Sequence, residues 1–246
     1  MSGIFHDYEQ LISIDFSNCK TNNITNMSGL FYNCISLKYI DFSNFNTTNI
    51  VNMSHMFRNC ESLISINLSS FNTANVIDLS YMFSGCLSLK SIEFSNFYTN
   101  NTIEMHFMFY LCKSLVSIDL SNFNINNVND MSGMFYGCKS LESINLSSFN
   151  TNNVKKMSQM FYYCESLKSI NLSNFYTENV RDMCSMFVGC KSVNSINISN
   201  FNSKKLQYMI DMFNKVPRNC KIICDDKTIC KEIINRINIY RQLTKF

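Results

Sequence analysis

Cys220, Cys224 and Cys230 form the densest group of potentially reactive side chains in this chain. Their C-x3-C-x5-C spacing suits a disulfide better than zinc, because it is not a standard ligand pair and no histidine follows. His6, His55 and His106 stand apart, with no metal-ligand spacing and no matched acid. No strained Ser elbow, phosphate-binding Gly loop or paired-His helix motif occurs. The residues therefore predict a non-catalytic protein, not an enzyme, with no metal site and no cofactor. Two other groups carry surface chemistry. One is a column of Asp15, Asp41, Asn67, Glu93 and Asp119, flanked by serines such as Ser91 and Ser117. Carboxylates stacked at one strand spacing repel, so a cation or basic partner would relieve them, and the column reads as a surface for a basic or hydroxyl-rich ligand. The other is a run of Tyr110, Tyr136 and Tyr162, a residue type that often anchors interfaces.

These columns exist because the chain repeats. Cys34, Cys60, Cys86, Cys112, Cys138, Cys164 and Cys190 recur every 26 residues without an insertion. A fixed period of this length is the signature of a solenoid. Within a repeat the first half alternates. Ile118 and Leu120 are apolar while Ser117, Asp119 and Ser121 point the other way, as in a strand with one buried face. The second half changes step. Val128, Met131, Met134, Phe135 and Cys138 fall three, three, one and three apart, which predicts one face of a short helix capped by Asn126 or Asn127. Strand and crossover helix at constant length stack into parallel strands. The expected fold is thus α/β: a right-handed leucine-rich-repeat solenoid, with a parallel sheet on one face and short helices on the other.

The apolar columns fill a continuous core. Leu115 and Ile118 head the strand columns, Phe123 follows the strand, and Met131 and Phe135 represent the second half. Stacked Phe and Met pack a core and hold no cofactor. The seven periodic cysteines lie on the same buried face, as free thiols behaving like small apolar groups. Another column, from Asn23 through Asn49 and Asn127 to Asn179, suits an amide ladder stitching one turn to the next. Lys205 replaces Asn in the eighth repeat, where that ladder should stop.

Residues 1–215 are read as a solenoid of about eight repeats and residues 216–246 as a C-terminal cap. Lys221 to Cys224 reads as a last strand. Ile229, Ile233, Ile237 and Tyr240 mark an amphipathic helix from about Thr228 to Leu243. Met1 to Phe5 aligns with Met27 to Phe31, so the first repeat is truncated and its strand is an open edge suited to end-on self-association. Net charge is +3, with ten basic and four acidic residues from Lys204 onward. That field is too weak to argue for nucleic acid. No stretch is long enough to span a membrane.

The phrase L-x-S-I-D-L-S-N-F-N, with copies such as Ser121-Asn122-Phe123-Asn124 and Met131-Ser-Gly-Met-Phe135, resembles the BspA-like leucine-rich-repeat surface proteins over about residues 1–215. The resemblance implies a cell-surface or secreted protein used for adhesion and partner binding, with no shared catalytic residues. The partner it implies is a protein of unspecified identity. Met1 to Leu11 has neither the basic start nor the apolar core of a signal peptide. A cytoplasmic scaffold or regulator built from the same repeats is therefore the alternative.

Overall fold

The computed structural model describes residues 1–16, 19 and 21–243, with side-chain surroundings through residue 235. Strands are short because only three residues per repeat alternate cleanly. They are β1 (Ser13–Asp15), β2 (Tyr39–Asp41), β3 (Ser65–Asn67), β4 (Ser91–Glu93), β5 (Ser169–Asn171), β6 (Ser195–Asn197) and β7 (Lys221–Ile223). Each centres on an inward Ile between two outward polar residues, except that β7 continues the pattern as Lys-Ile-Ile. Pairing is parallel, and every pair is offset by one period: Ile14 opposite Ile40, Ile66 opposite Ile92, Ile170 opposite Ile196, Ile196 opposite Ile222. The fold is a parallel β-solenoid of about eight turns with one C-terminal helix.

The expected short helices do not form; α1 (Lys227–Leu243) is the single helix among the described residues. In the segment from Met131 to Cys138, every second N–H leaves for the next turn. Met131 donates to the Lys156 carbonyl, Gly133 to Ser158, Phe135 to Met160 and Gly137 to Tyr162, at 2.6–3.0 Å. The N–H groups between them close tight turns, Tyr136 to Gly133 and Cys138 to Phe135. Gly133 and Gly137 take φ of 58° and 69°. Such values suit the third residue of a type II turn and are excluded from a right-handed helix. Consecutive tight turns and a helical face both bring an apolar residue inward every three or four positions, so hydrophobic spacing alone does not separate them. The destination of the N–H groups does.

A second ladder of parallel bridges runs unbroken from Asn26 through Asn52, Asp78, Glu104, Asp130, Lys156 and Asp182 to Tyr208. It holds the stack together where the strand sheet is interrupted. Around Ser117–Asp119 and Ser143–Asn145 no strand forms, yet Glu142 N–H still bonds the Val116 carbonyl and Lys168 N–H the Glu142 carbonyl.

The core is a pile of like residues. Phe5, Phe31, Phe57, Phe83, Phe109, Phe135, Phe161, Phe187 and Phe213 stack with centroids 5.4–5.9 Å apart. Beside them each periodic thiol donates to a phenylalanine carbonyl of the preceding turn, as Cys60 to Phe31 and Cys138 to Phe109. A buried threonine column does similar work. Thr73 Oγ1 accepts from Tyr98 N–H and donates to the Tyr98 carbonyl, and Thr151 and Thr177 repeat the pattern. Buried polar groups must be paired, and here each pairing also joins one turn to the next.

The cap ends the threonine column at one residue, which also caps the helix. Asp226 Oδ1 accepts the N–H groups of Thr228 and Ile229 at the start of α1, and Oδ2 accepts the N–H and hydroxyl of Ser203, which continues the threonine column. On the inner face of the helix Ile229 is fully buried and Ile233 partly so. The side chains expected to extend this face, Ile237 and Tyr240, lie outside the described surroundings. Burial alone would raise the Asp226 pKa, but donors from Ile229, Ser203 and Thr228 hold it below the ordinary value. Its stabilising contribution is therefore present above the carboxylate range and is lost as pH falls through the lowered pKa. Replacing Asp226 with Ala should cost about 1–2 kcal/mol, and the acid limb of the stability–pH curve should shrink with it. Urea titrations at several pH values read both effects.

Candidate functional site

Three long faces are open to ligands, because a solenoid exposes one side chain per turn in each column. The first is the strand face. Asp41, Asn67, Glu93, Asp119, Asn145, Asn171 and Asn197 each turn an oxygen back onto the N–H two residues later, at 2.9–3.1 Å. Asp and Asn interchange in this column because both supply that oxygen. Bonds from Ser43 and Ser121 hold the carboxyl groups of Asp41 and Asp119 below their usual range. Asp15 stands opposite Asp41 in the β1–β2 pair. Ser91 and Ser117 are exposed alongside. Between β2 and β3 lies a shallow hollow of about 370 Å³ bordered by Tyr39, Asp41 and Asn67. The column thus has a structural duty in closing the turn after each strand, and its remaining oxygens face solvent.

The second face is aromatic. Tyr110, Tyr136 and Tyr162 are brought together as the sequence run suggested, stacked at 4.7 and 4.5 Å. The stripe reaches further than that run. Tyr163 packs against Tyr162 at 4.7 Å, and Lys215 donates to the Tyr163 hydroxyl at 2.9 Å while Lys191 lies over its ring. Toward the N-terminal side, Tyr110 meets Phe107, Phe107 stacks on Tyr81, and Tyr81 stacks on His55. Arg58 sits between the rings of Tyr32 and Tyr81, 5.5 and 5.0 Å from their centroids. Burial, and then the Arg58 charge, lowers the His55 pKa, consistent with a neutral ring whose Nδ1 accepts from Arg58 Nη1. Burial raises the pKa of Tyr136, whereas the bond from Lys215 lowers that of Tyr163.

Sequence reading missed His55, Tyr81 and Phe107 because they occupy a turn position that Gly29 and Gly133 fill in other repeats. Their φ values, 56°, 57° and 54°, lie in the left-handed region. Holding a bulky residue there costs about 1 kcal/mol or more. Gly133 keeps the place clear, since a side chain there would collide with the Phe107 ring. A large ring at a glycine-type place in the repeat was the available signal.

The third face is the asparagine column. Nδ2 of Asn49, Asn75, Asn101, Asn127, Asn153 and Asn179 donates to a carbonyl of the preceding turn at 2.6–2.9 Å. The expected ladder forms, but on the surface, beside a groove of about 870 Å³. The amide-to-carbonyl series ends at Asn179, where Lys205 Nζ donates to its Oδ1 at 2.7 Å instead.

No metal-holding cluster of His, Cys, Asp or Glu occurs among the described residues. The cysteines are free thiols; Cys230 donates to the Cys224 carbonyl, and burial, followed by Cys230, pushes the Cys224 thiol up to about 12. Among the described residues, no helix is long and apolar enough to cross a membrane.

A family model described as "Mycoplasma protein of unknown function, DUF285" matches residues 1–118 and again residues 103–224. The search of solved structures finds a leucine-rich cell surface protein from Faecalibacterium prausnitzii. It is 16% identical, over 94% of this chain and 84% of that one, with a TM-score of 0.27. No curated protein matches.

Two outcomes test the duties assigned to these columns. Asp119→Asn should leave stability within about 0.5 kcal/mol of wild type, whereas Asp119→Ala should lose about 1 kcal/mol with its turn closure. Equal melting of the two variants would remove that duty. Burial pushes Cys34 up to about 11 and Cys138 and Cys190 up to about 12. Iodoacetamide near neutral pH should therefore label exposed Cys19 and spare the seven core thiols until urea unfolds the chain. Because these pKa values are raised in the fold, stability should fall as pH rises past the ordinary thiol range of ~8.5, where only the unfolded chain ionises.

Proposed function

The chain belongs to the DUF285 family, whose 26-residue repeat is of the BspA-like leucine-rich type, and from this membership we propose that it is a non-catalytic binding module of a surface protein. Its ligand is a protein, engaged along the aromatic stripe. The observation that carries this reading is the continuous run of partly exposed rings from Tyr81 and Phe107 through Tyr110, Tyr136 and Tyr162 to Tyr163. Aromatic side chains gathered in one surface run are the usual anchors of protein interfaces. The long, nearly flat faces of a repeat stack suit adhesion better than catalysis, which needs an enclosed polar pocket. The strand face from Asp15 to Asp119, with Ser91 and Ser117, is the second candidate surface.

The test uses beads coated with the protein and offered matrix glycoproteins or cytosolic proteins side by side. Retention on a matrix protein should fall about tenfold or more for the Tyr110→Ala/Tyr136→Ala/Tyr162→Ala variant. Retention unchanged in that variant but lost in the Asp15/Asp41/Glu93/Asp119 alanine variant would move the site to the strand face. Capture from cytosol alone would favour an intracellular scaffold. Circular dichroism confirms that each variant keeps its fold.

A further inference from the structure

The groove beside the asparagine column changes chemistry along its length. Over its first turns one wall carries Asn49, Asn75 and Asn101 and the other carries Val51, Ile77 and Ile103. These aliphatic side chains are 39%, 42% and 39% exposed, which is unusual for three stacked β-branched residues. The asparagines spend Nδ2 on the preceding turn, and their Oδ1 atoms accept nothing from the described residues. Both walls then continue. The aliphatic wall becomes Asn129, Lys155, Arg181 and Gln207, joined through backbone bonds of 2.8 Å from Lys155 onward. The amide wall becomes Asn153, Asn179 and Lys205. A second hollow of about 390 Å³ opens there, bordered by Arg181, Lys204, Lys205, Leu206 and Gln207.

Lys155, Arg181, Lys204 and Lys205 make no ion pair with a described carboxylate. The acids nearby are Glu178, in the row that leads to Lys204, and Asp182 and Asp130. Asp182 caps the Cys184 N–H, and Asp130 is paired with Lys156 at 3.1 Å. Cations therefore outnumber unpaired acids at this end. The bond from Lys205 to the Asn179 amide oxygen shows that an Oδ1 of this row is placed to accept a donor arriving along the groove.

We propose that this track binds a linear anionic polysaccharide, a ligand class distinct from the protein partner of the aromatic stripe. The walls select the polymer. Turns of the stack recur every ~4.8 Å, so amide oxygens and aliphatic side chains repeat at that interval along the track. A sugar ring offers partners to both walls, hydroxyls to the amide oxygens and a C–H face to the aliphatic side chains. Charge selects the substituent: carboxylate or sulfate groups meet Lys155, Arg181 and Lys205 in the basic hollow.

Calorimetric titration with polygalacturonate, heparin, dextran and poly-L-glutamate tests this. Polygalacturonate or heparin should bind, with affinity falling as salt rises, and dextran should bind much more weakly. The Arg181→Gln/Lys205→Gln variant should weaken binding about tenfold or more, and Ile77→Asp likewise, while Tyr136→Ala should not. Binding of polygalacturonate alone assigns the anion as carboxylate, and of heparin alone as sulfate. Lys155→Gln, an exposed change, replaces the double variant if that melts early. Failure of both polysaccharides to bind, binding untouched by the groove variants, or equal binding of poly-L-glutamate would overturn the proposal.

Discussion

The structure depends on one interaction: a backbone N–H in each turn reaching a carbonyl of the adjacent turn, repeated at every second residue through the tight-turn segment. In a helix those donors would be consumed inside the segment, and neighbouring repeats would meet only through side chains. Here they cross between turns, so the spacing of the stack is set by hydrogen bonds. That spacing in turn dictates the rest. Rings in one column must stack at 5.4–5.9 Å, and polar groups in one column must find partners one period away.

Identical residues at a fixed distance are favourable only when they satisfy one another. Phenylalanines stack offset, thiols donate to carbonyls, threonine hydroxyls accept and donate at once, and asparagine amides reach back one turn. Each is a one-dimensional contact, so stability accumulates along the stack through nearest neighbours. Among the described residues no buried column of charges occurs, since stacked carboxylates would repel. Acidic residues instead sit where a turn N–H or a basic neighbour offsets them, as Asp119 with Ser121 and Asp130 with Lys156.

Surface character then varies turn by turn on an invariant core. On the aromatic face, Gly29 and Gly133 flank a run of His55, Tyr81 and Phe107 at the same turn position. On the asparagine face, exposed aliphatic residues give way to lysine and arginine at Lys155. Such changes leave the hydrogen-bonded ladder intact, because the outward side chain is not part of it. A repeat scaffold can therefore vary its surface turn by turn while keeping one core.

Much of this was legible in the chain. The 26-residue period, the inward Ile, Phe, Met and Cys columns and the amide ladder all follow from residue type and phase, because a solenoid converts sequence period directly into spatial neighbours. The tyrosine run was visible for the same reason. The threonine column was visible too, in the recurrent Asn-Thr after Phe71 or Phe149, but its role required knowing which side of the turn was buried. Helices were expected where tight turns occur, because Met131, Met134, Phe135 and Cys138 point inward in either conformation. Only the tertiary structure decided between them, since the choice rests on whether an N–H finds its acceptor four residues back or one turn away. The same contacts decided that His55, Tyr81 and Phe107 join the tyrosines in one stripe, and that the amide and aliphatic columns line one groove. Those are relations between columns, and a repeat sequence specifies its columns more directly than the angles at which they meet.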